Sequence, residues 1–153
     1  MSGPSFSAVI GLLRSQLSYH PVIPQLRFDD QVVIVTGGNT GLGRNAAQHL
    51  VRLGAAKVII TTRDLEKGRA AVAYIEQETK RRGVLEVGQL DLLDFESVRS
   101  FAKRAETLDR LDAVIHNAGM WPRDFKLAEG HEYVFAAPVC APNFALLNNV
   151  EQP

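Results

Sequence analysis

The chain of 153 residues has a single cysteine, Cys140, and no excess of charge of either sign. One cysteine cannot form an intramolecular disulfide, and such low use of cysteine is typical of a reducing compartment, so we expect a cytoplasmic protein. Lys and Arg together number 17, as do Asp and Glu. No net field therefore draws the chain to nucleic acid or to an anionic membrane. The four histidines lack the spacing of metal ligands, and we expect no metal site.

A long apolar run is also missing. The N-terminal apolar stretch, residues 6–13, is eight residues long, whereas a membrane-spanning helix needs about 20. Its apolar residues recur at helical spacing after Ser5: Phe6, Val9, Ile10, Leu13 and Leu17. This pattern predicts a short amphipathic helix that lies on the surface of the domain. Pro21 and Pro24 separate this arm from the rest of the chain.

From Gln31 to Gly119, strand-like runs alternate with helix-like segments. Four runs rich in apolar and β-branched residues predict strands over 32–35, 57–62, 84–90 and 111–115. Parallel strands joined through helices form right-handed crossovers. We therefore predict an α/β fold, a Rossmann-type doubly wound parallel sheet that is truncated after about four strands. Its fourth strand would expose an apolar edge, so we expect marginal stability or poor solubility.

Three helices are predicted between the strands. The first covers residues 42–53, and Gly54 ends it. One apolar face is expected to consist of Leu42, Ala46, Leu50 and Leu53. The second helix begins after Asp64, which caps it, and extends to about residue 82; the third begins after Asp94. Beyond Trp121 the periodicity weakens, which predicts an irregular or partly helical tail.

A glycine-rich loop follows the first predicted strand and opens the first helix. Residues 36–43 are Thr-Gly-Gly-Asn-Thr-Gly-Leu-Gly. In a strand–loop–helix unit, backbone N–H groups and the helix N-terminus can bind a pyrophosphate. We assign Gly37 to the tight turn, Gly41 to the close approach of backbone and phosphate, and Gly43 to helix–sheet packing. A P-loop is excluded, because Arg-Asn follows Gly43 where a P-loop needs Lys-Ser or Lys-Thr.

Three motifs, each at the end of a predicted strand, together resemble the short-chain dehydrogenase/reductase family. They are the loop at 36–43, Asp-Leu at 91–92 and Asn-Ala-Gly at 117–119. Residues 51–59 and 65–68 are similar to fungal members related to retinol dehydrogenases. The resemblance covers about residues 28–119. It implies an oxidoreductase that uses a nicotinamide cofactor and acts on a carbonyl or an alcohol of a small molecule.

The resemblance also implies a cofactor site. The loop would hold the pyrophosphate, Asp91 would meet the adenine, and the backbone of 117–119 would lie beside the adenosine ribose. The predicted cofactor-binding residues are Gly37, Asn39, Thr40, Gly41, Leu42, Gly43, Thr62, Arg63, Asp91, Leu92, Asn117, Ala118 and Gly119. His116 stands where family members often have another Asn, which should leave the backbone role intact.

The end of the second strand favours NADP(H) over NAD(H). A bare ribose 2′-hydroxyl is usually met by an acidic residue about twenty residues past the glycines. Here Arg63 follows the strand, and its guanidinium could hold a 2′-phosphate, with a further donor from Thr62. Asp64 is expected to be committed to backbone N–H groups as a helix cap. The alternative, in which Arg63 is only a solvated surface charge, stays open.

The residues that carry the chemistry in this family do not appear in these 153 residues. Members use Tyr-x-x-x-Lys, in which the lysine lowers the pKa of the tyrosine, together with a Ser and an Asn. Each tyrosine of this chain is followed four residues later by something else: Ile23 after Tyr19, Glu78 after Tyr74 and Ala137 after Tyr133. No catalytic residue is therefore assigned.

The sequence thus predicts an N-terminal arm (1–27), a dinucleotide-binding Rossmann half (28–120) and a tail (121–153). Three hypotheses about its role stay open: an NADP(H)-dependent oxidoreductase that is catalytically incomplete as written, a non-catalytic dinucleotide-binding module, and a non-functional gene fragment. Substrate and oligomeric state are not assigned.

Overall fold

A computed structural model describes residues 7, 10, 11, 14, 17, 26–119, 127–128 and 131–132. Its main sheet has four strands: β1 (Val32–Val35), β2 (Lys57–Thr62), β3 (Leu85–Gln89) and β4 (Ala113–Ile115). Three helices connect them: α1 (Gly41–Arg52), α2 (Leu65–Thr79) and α3 (Phe95–Glu106). Two short strands, β5 (Leu127–Ala128) and β6 (His131–Glu132), form a separate antiparallel pair.

The four strands of the main sheet are parallel and lie in the order β3-β2-β1-β4. Ile34 in the centre of β1 lies opposite Ile59 of β2 on one side and Val114 of β4 on the other. This order corresponds to the first four strands of a doubly wound sheet, in which the strand order reverses at β1. The predicted α/β fold with a Rossmann-type parallel sheet is confirmed.

The main core lies between the sheet and helices α1 and α2. Because successive strand residues face opposite sides of a sheet, Val33 and Val35 of β1 face this core together. Their fully or almost fully buried neighbours are Ala47, Leu50, Val51, Val58, Ile60, Ala71 and Ile75. Each large aliphatic side chain buried here contributes about 1.5–3 kcal/mol. This packing fixes α1, and with it the loop that precedes α1, against the ends of β1 and β2.

The buried face of α1 differs from the predicted one. Leu42 is 80% exposed, whereas Gly43, Ala47, Leu50 and Val51 are buried. The prediction that Leu42 belongs to the apolar face is therefore wrong. It failed because a glycine occupies the first buried position: glycine has no side chain that could mark a face as apolar, so the neighbouring leucine appeared to begin the pattern.

Several element boundaries also differ from those predicted. The bounds of β1 and β2 are confirmed, whereas β3 and β4 are one to two residues shorter at their ends than expected. Helix α2 ends at Thr79 instead of near residue 82, because Lys80 adopts a left-handed conformation with φ 58° that terminates the helix. The caps Asp64 and Asp94 are confirmed.

The predicted N-terminal helix and tail lie largely outside the described residues. In the arm, residues 7, 10, 11, 14 and 17 are helical and exposed. Phe6, Val9 and Leu13 are not described, so the placement of this helix on the domain surface stays a prediction. Of the tail only 127–128 and 131–132 are described. Across the described part of the chain, no helix has both the length and the apolar character to cross a membrane.

Candidate functional site

A cavity of about 350 Å³ opens where the four parallel strands end. Ligands of open α/β sheets bind outside the carboxyl ends of the strands, near the point where the strand order reverses. All predicted cofactor residues except Gly41, Leu42 and Gly43 line this cavity, and those three follow directly in the same loop and helix. It is also lined by residues that were not predicted: Thr61, Asp64, Lys67, Leu90 and Leu93.

The glycine loop is held tightly between β2 and α1. The N–H of Gly38 donates to the carbonyl of Thr61 (3.1 Å), and Gly37 turns the chain with φ +65°. At Gly43 a Cβ atom would lie 2.5 Å from the carbonyl oxygen of Gly37 and would overlap the side-chain amide of Asn117. Glycine is thus required here, since the start of α1 packs against the loop and the end of β4. This agrees with the packing role predicted for Gly43.

Thr36 and Asn117 join the ends of β1 and β4. The hydroxyl of Thr36 accepts from the N–H groups of Asn117 and Ala118, both at 3.0 Å. The Asn117 side-chain amide donates back to the carbonyl of Thr36, also at 3.0 Å. These bonds set the cavity wall formed by residues 117–119. Thr36 was not among the predicted site residues, and its place in the motif, just before Gly37, is the signal that could have identified it.

The N-terminus of α1 lacks the caps that the other helices have. Asp64 accepts from the N–H of Glu66 (3.0 Å) and of Lys67 (3.2 Å) at the start of α2, and Asp94 accepts from the N–H of Glu96 (3.0 Å) at the start of α3. Thr40, the N-cap of α1, makes no such side-chain bond, and the first turn of α1 has no acidic residue. The N–H groups that begin α1 are therefore available to an external anion, which the helix dipole also attracts.

Gly41 places open space beside this helix start. It adopts φ +56°, and a Cβ atom there would meet nothing within 4 Å. A left-handed backbone costs an L-residue about 1–2 kcal/mol, so glycine is favoured here for its conformation and not for lack of room. The backbone is thus exposed where the sequence predicts that a phosphate approaches.

The wall beyond β2 carries two basic side chains and the ionised carboxylate of Asp64. The N–H of Lys67, together with that of Glu66, holds the pKa of the Asp64 carboxyl below its ordinary value. The Lys67 ammonium lies 3.6 Å from the same carboxylate. Arg63 makes no hydrogen bond or ion pair within the described residues, although it lines the cavity. Lys67 was missed because its reach toward the cavity depends on how α2 leaves the sheet.

The hydroxyl of Thr62 is already engaged. It donates to the carbonyl of Asp64 and accepts from the N–H of the same residue, both at 3.2 Å. Thr62 is also buried. For the predicted contact with a ligand, the Thr62 hydroxyl would have to give up one of its bonds to the backbone of Asp64.

Asp91 stands at the opposite side of the cavity, in the loop between β3 and α3. Its N–H donates to the hydroxyl of Ser97 (2.9 Å), and its Oδ1 accepts from the N–H of Leu93 (3.0 Å). Leu90 and Leu92 are buried against Val98 of α3. The loop is thus anchored by apolar contacts on one side and presents a carboxylate on the other.

These residues fit a dinucleotide. A helix start with available N–H groups suits a diphosphate, Arg63 and Lys67 suit a phosphorylated ribose, and the Asp91 carboxylate can accept a hydrogen bond from a base. Over the described residues, no group of three or more His, Cys, Asp or Glu side chains is placed to hold a metal ion.

Comparisons with known proteins indicate the family. The family model for the short chain dehydrogenase matches residues 31–138. A short chain dehydrogenase of Emericella nidulans is 51% identical over 120 residues, which are 78% of this chain and 38% of that protein. Retinol dehydrogenase 12 of Bos taurus is 39% identical over 140 residues, 81% of this chain and 44% of the relative.

A solved relative shares the fold of the described residues. It is a short chain dehydrogenase of Escherichia coli complexed with NADPH, with 34% identity and a TM-score of 0.65 over 82% of this chain and 54% of that chain. The present chain spans less than half the length of the relatives from Emericella nidulans and Bos taurus. Both the family model, which covers most of the chain, and the parallel sheet lead to the same assignment: this chain belongs to the short chain dehydrogenase family.

Proposed function

We propose that this chain binds NADP(H) in the cavity at the strand ends and forms the cofactor-binding part of an oxidoreductase. The substrate class is a carbonyl or an alcohol of a small molecule. The observation that carries the proposal is the uncapped start of α1, which opens onto a cavity lined by Arg63 and Lys67. The Escherichia coli relative complexed with NADPH supports the choice of a nicotinamide dinucleotide.

The diphosphate would lie at the start of α1, where the backbone from Asn39 to Gly43 supplies N–H groups. A negative group there gains about 0.3–1 kcal/mol from the helix dipole, and more where the site is partly buried. The exposed side chain of Leu42 borders the same place. Residues 117–119 would line the adenosine ribose, and Asp91 with Leu92 would hold the adenine.

A 2′-phosphate would be held at the end of β2. Arg63 can offer two N–H groups side by side, and the Lys67 ammonium adds a second positive charge on the same wall. The Asp64 carboxylate lies on the same wall, where two backbone N–H groups and the Lys67 ammonium offset part of its negative charge. NADPH, when bound, supplies a hydride. The residues named here bind and orient the NADPH molecule.

A matched pair of glycine variants tests the proposal. Gly41 and Gly83 both have a positive φ and open space around a Cβ atom, but Gly83 lies at the far end of the sheet, before β3. Gly41→Leu and Gly83→Leu therefore both place a side chain at a positive φ, and only Gly41→Leu fills the path of a phosphate. We expect calorimetric titration to show NADPH binding to wild type and Gly83→Leu, and binding at least about tenfold weaker to Gly41→Leu. No binding by wild type would overturn the proposal.

A non-catalytic dinucleotide-binding module is the second candidate. Within these 153 residues no tyrosine is followed four residues later by lysine, so the residues named above have binding roles and none is assigned to the chemistry. The same three proteins distinguish the candidates when they are supplied with NADPH and a panel of ketones. Oxidation of NADPH by wild type that is lost in Gly41→Leu supports an enzyme; binding without oxidation supports the module.

A further inference from the structure

Ser97 is a polar side chain of α3 whose hydrogen bond leaves its own helix. It occupies the third helical position after the N-cap Asp94. A polar side chain at this position commonly reaches back to the N–H of the cap residue. The Ser97 hydroxyl instead accepts from the N–H of Asp91 (2.9 Å), three residues before the cap. It therefore links the first turn of α3 to a residue that lines the cavity.

The bond from Ser97 is one of a set that determines the conformation of Asp91. The preceding residue, Leu90, donates to the carbonyl of Thr62 (3.0 Å), which holds the chain to the end of β2. The Asp91 carboxylate accepts from the N–H of Leu93 through Oδ1. Within the described residues no hydrogen bond uses Oδ2. One carboxylate oxygen is thus committed to the loop and the other is available to a ligand.

We propose that Ser97 is a positioning residue for the base of the nucleotide: by fixing the backbone of Asp91 it directs the carboxylate toward the exocyclic amine of adenine. The inference rests on the proposed function. A carboxylate accepts a hydrogen bond from the amine of adenine, whereas hypoxanthine has a carbonyl oxygen there and repels it. A correctly placed Asp91 therefore discriminates between the two bases, and a displaced Asp91 does so poorly.

The test measures the ratio of the affinities for the adenine and the hypoxanthine nucleotide. A general loss of stability would not change this ratio. We would titrate the full chain with adenosine 2′,5′-bisphosphate and with the corresponding inosine nucleotide. For wild type we expect a preference for the adenine nucleotide of roughly tenfold, which Ser97→Ala reduces to roughly twofold. Ser97→Thr keeps a hydroxyl and should restore the preference. Ser100→Ala, at an exposed position of the same helix, should leave it unchanged.

The outcomes separate this inference from the proposed function. If wild type binds neither nucleotide, the proposed function is wrong and the role of Ser97 falls with it. If wild type prefers the adenine nucleotide and Ser97→Ala keeps the whole preference, the role of Ser97 alone is wrong. Should Ser97→Ala not fold, Ser97→Cys provides the test, since a thiol fills the same space but is a weak acceptor. It should likewise lose the preference; a retained tenfold preference would overturn the inference.

Discussion

Two neighbouring residues of opposite charge at the end of β2 have different tasks, which their hydrogen bonds reveal. The Asp64 carboxylate is used by the N–H groups of Glu66 and Lys67 and stabilises the start of α2. Arg63 has no such bond within the described residues and lines the cavity. An approaching 2′-phosphate would therefore meet a guanidinium that has no ion-pair partner among the described residues, whereas backbone N–H groups and Lys67 offset part of the Asp64 charge. The preference between the two dinucleotides is expected to depend mainly on Arg63, since the Lys67 ammonium on the same wall is paired with Asp64.

Replacement of Arg63 tests that preference at the scale of the single residue. A hydrogen bond to a charged group contributes about 1.5–3 kcal/mol, so Arg63→Ala should weaken NADPH binding by roughly 10- to 100-fold and leave NADH binding unchanged. Calorimetric titration measures both affinities. Arg82→Ala, an exposed arginine beyond the end of α2, serves as the control. Equal affinities for both cofactors, unmoved by Arg63→Ala, would remove Arg63 from the site.

At the scale of the element, the side chain of Asp112, just before β4, binds the first residue of β1. The Asp112 carboxylate accepts from the N–H of Val32 (2.8 Å), the first residue of β1, and from the guanidinium of Arg110. The hydrogen bond from the Arg110 guanidinium holds the pKa of Asp112 below its ordinary value, and the bond from the Val32 N–H contributes to the same shift to a smaller extent. Asp112 therefore contributes to stability only while it is ionised.

This contribution predicts a pH dependence with a definite sign. Because the folded-state pKa of Asp112 is depressed, its contribution is complete above the unfolded-state pKa and disappears as pH falls below about 4. Asp112→Asn should therefore lower the urea midpoint at pH 7, and the difference from wild type should shrink toward pH 3. Asp109→Asn, at an exposed position nearby, should show no such trend. A difference that stays constant from pH 7 to pH 3 would contradict the prediction.

At the scale of the whole molecule, β4 forms one edge of the sheet among the described residues, and this edge is apolar. Within the described residues β4 pairs only with β1, and Val114 is 38% and Leu111 42% exposed. An exposed edge strand offers unpaired backbone groups to other chains. The marginal stability or poor solubility expected from the sequence would originate at this edge.

We expect the 153-residue chain to associate through this edge as its concentration rises. Val114→Lys places a charge on the edge strand and should keep the protein monomeric at concentrations where wild type associates. Leu26→Lys removes a more exposed apolar side chain, 67% exposed, outside the sheet, and should have little effect. Sedimentation velocity distinguishes the species. If both variants act alike, general surface hydrophobicity and not the strand edge causes association.

Local patterns were sufficient to predict most of the fold. The alternation of apolar runs with amphipathic segments, the caps Asp64 and Asp94, and the glycine loop each depend on residues close together in the chain. Element order, the parallel sheet and the bounds of β1 and β2 were therefore predictable. The apolar face of α1 was not, because its first buried residue is Gly43, which has no side chain to indicate burial.

The cavity wall, by contrast, was decided by contacts between residues far apart in the chain. Thr36 and Asn117 are 81 positions apart, and their bonds exist only because β1 and β4 are neighbours in the sheet. Lys67 reaches the cavity because of the direction in which α2 leaves β2. Short-range periodicity indicates which side of an element is apolar. Which residue on a neighbouring strand becomes a hydrogen-bond partner depends on how the strands pack. Composition and motif thus determined the kind of fold and indicated the ligand class that we propose, and packing decided which side chains shape the candidate site.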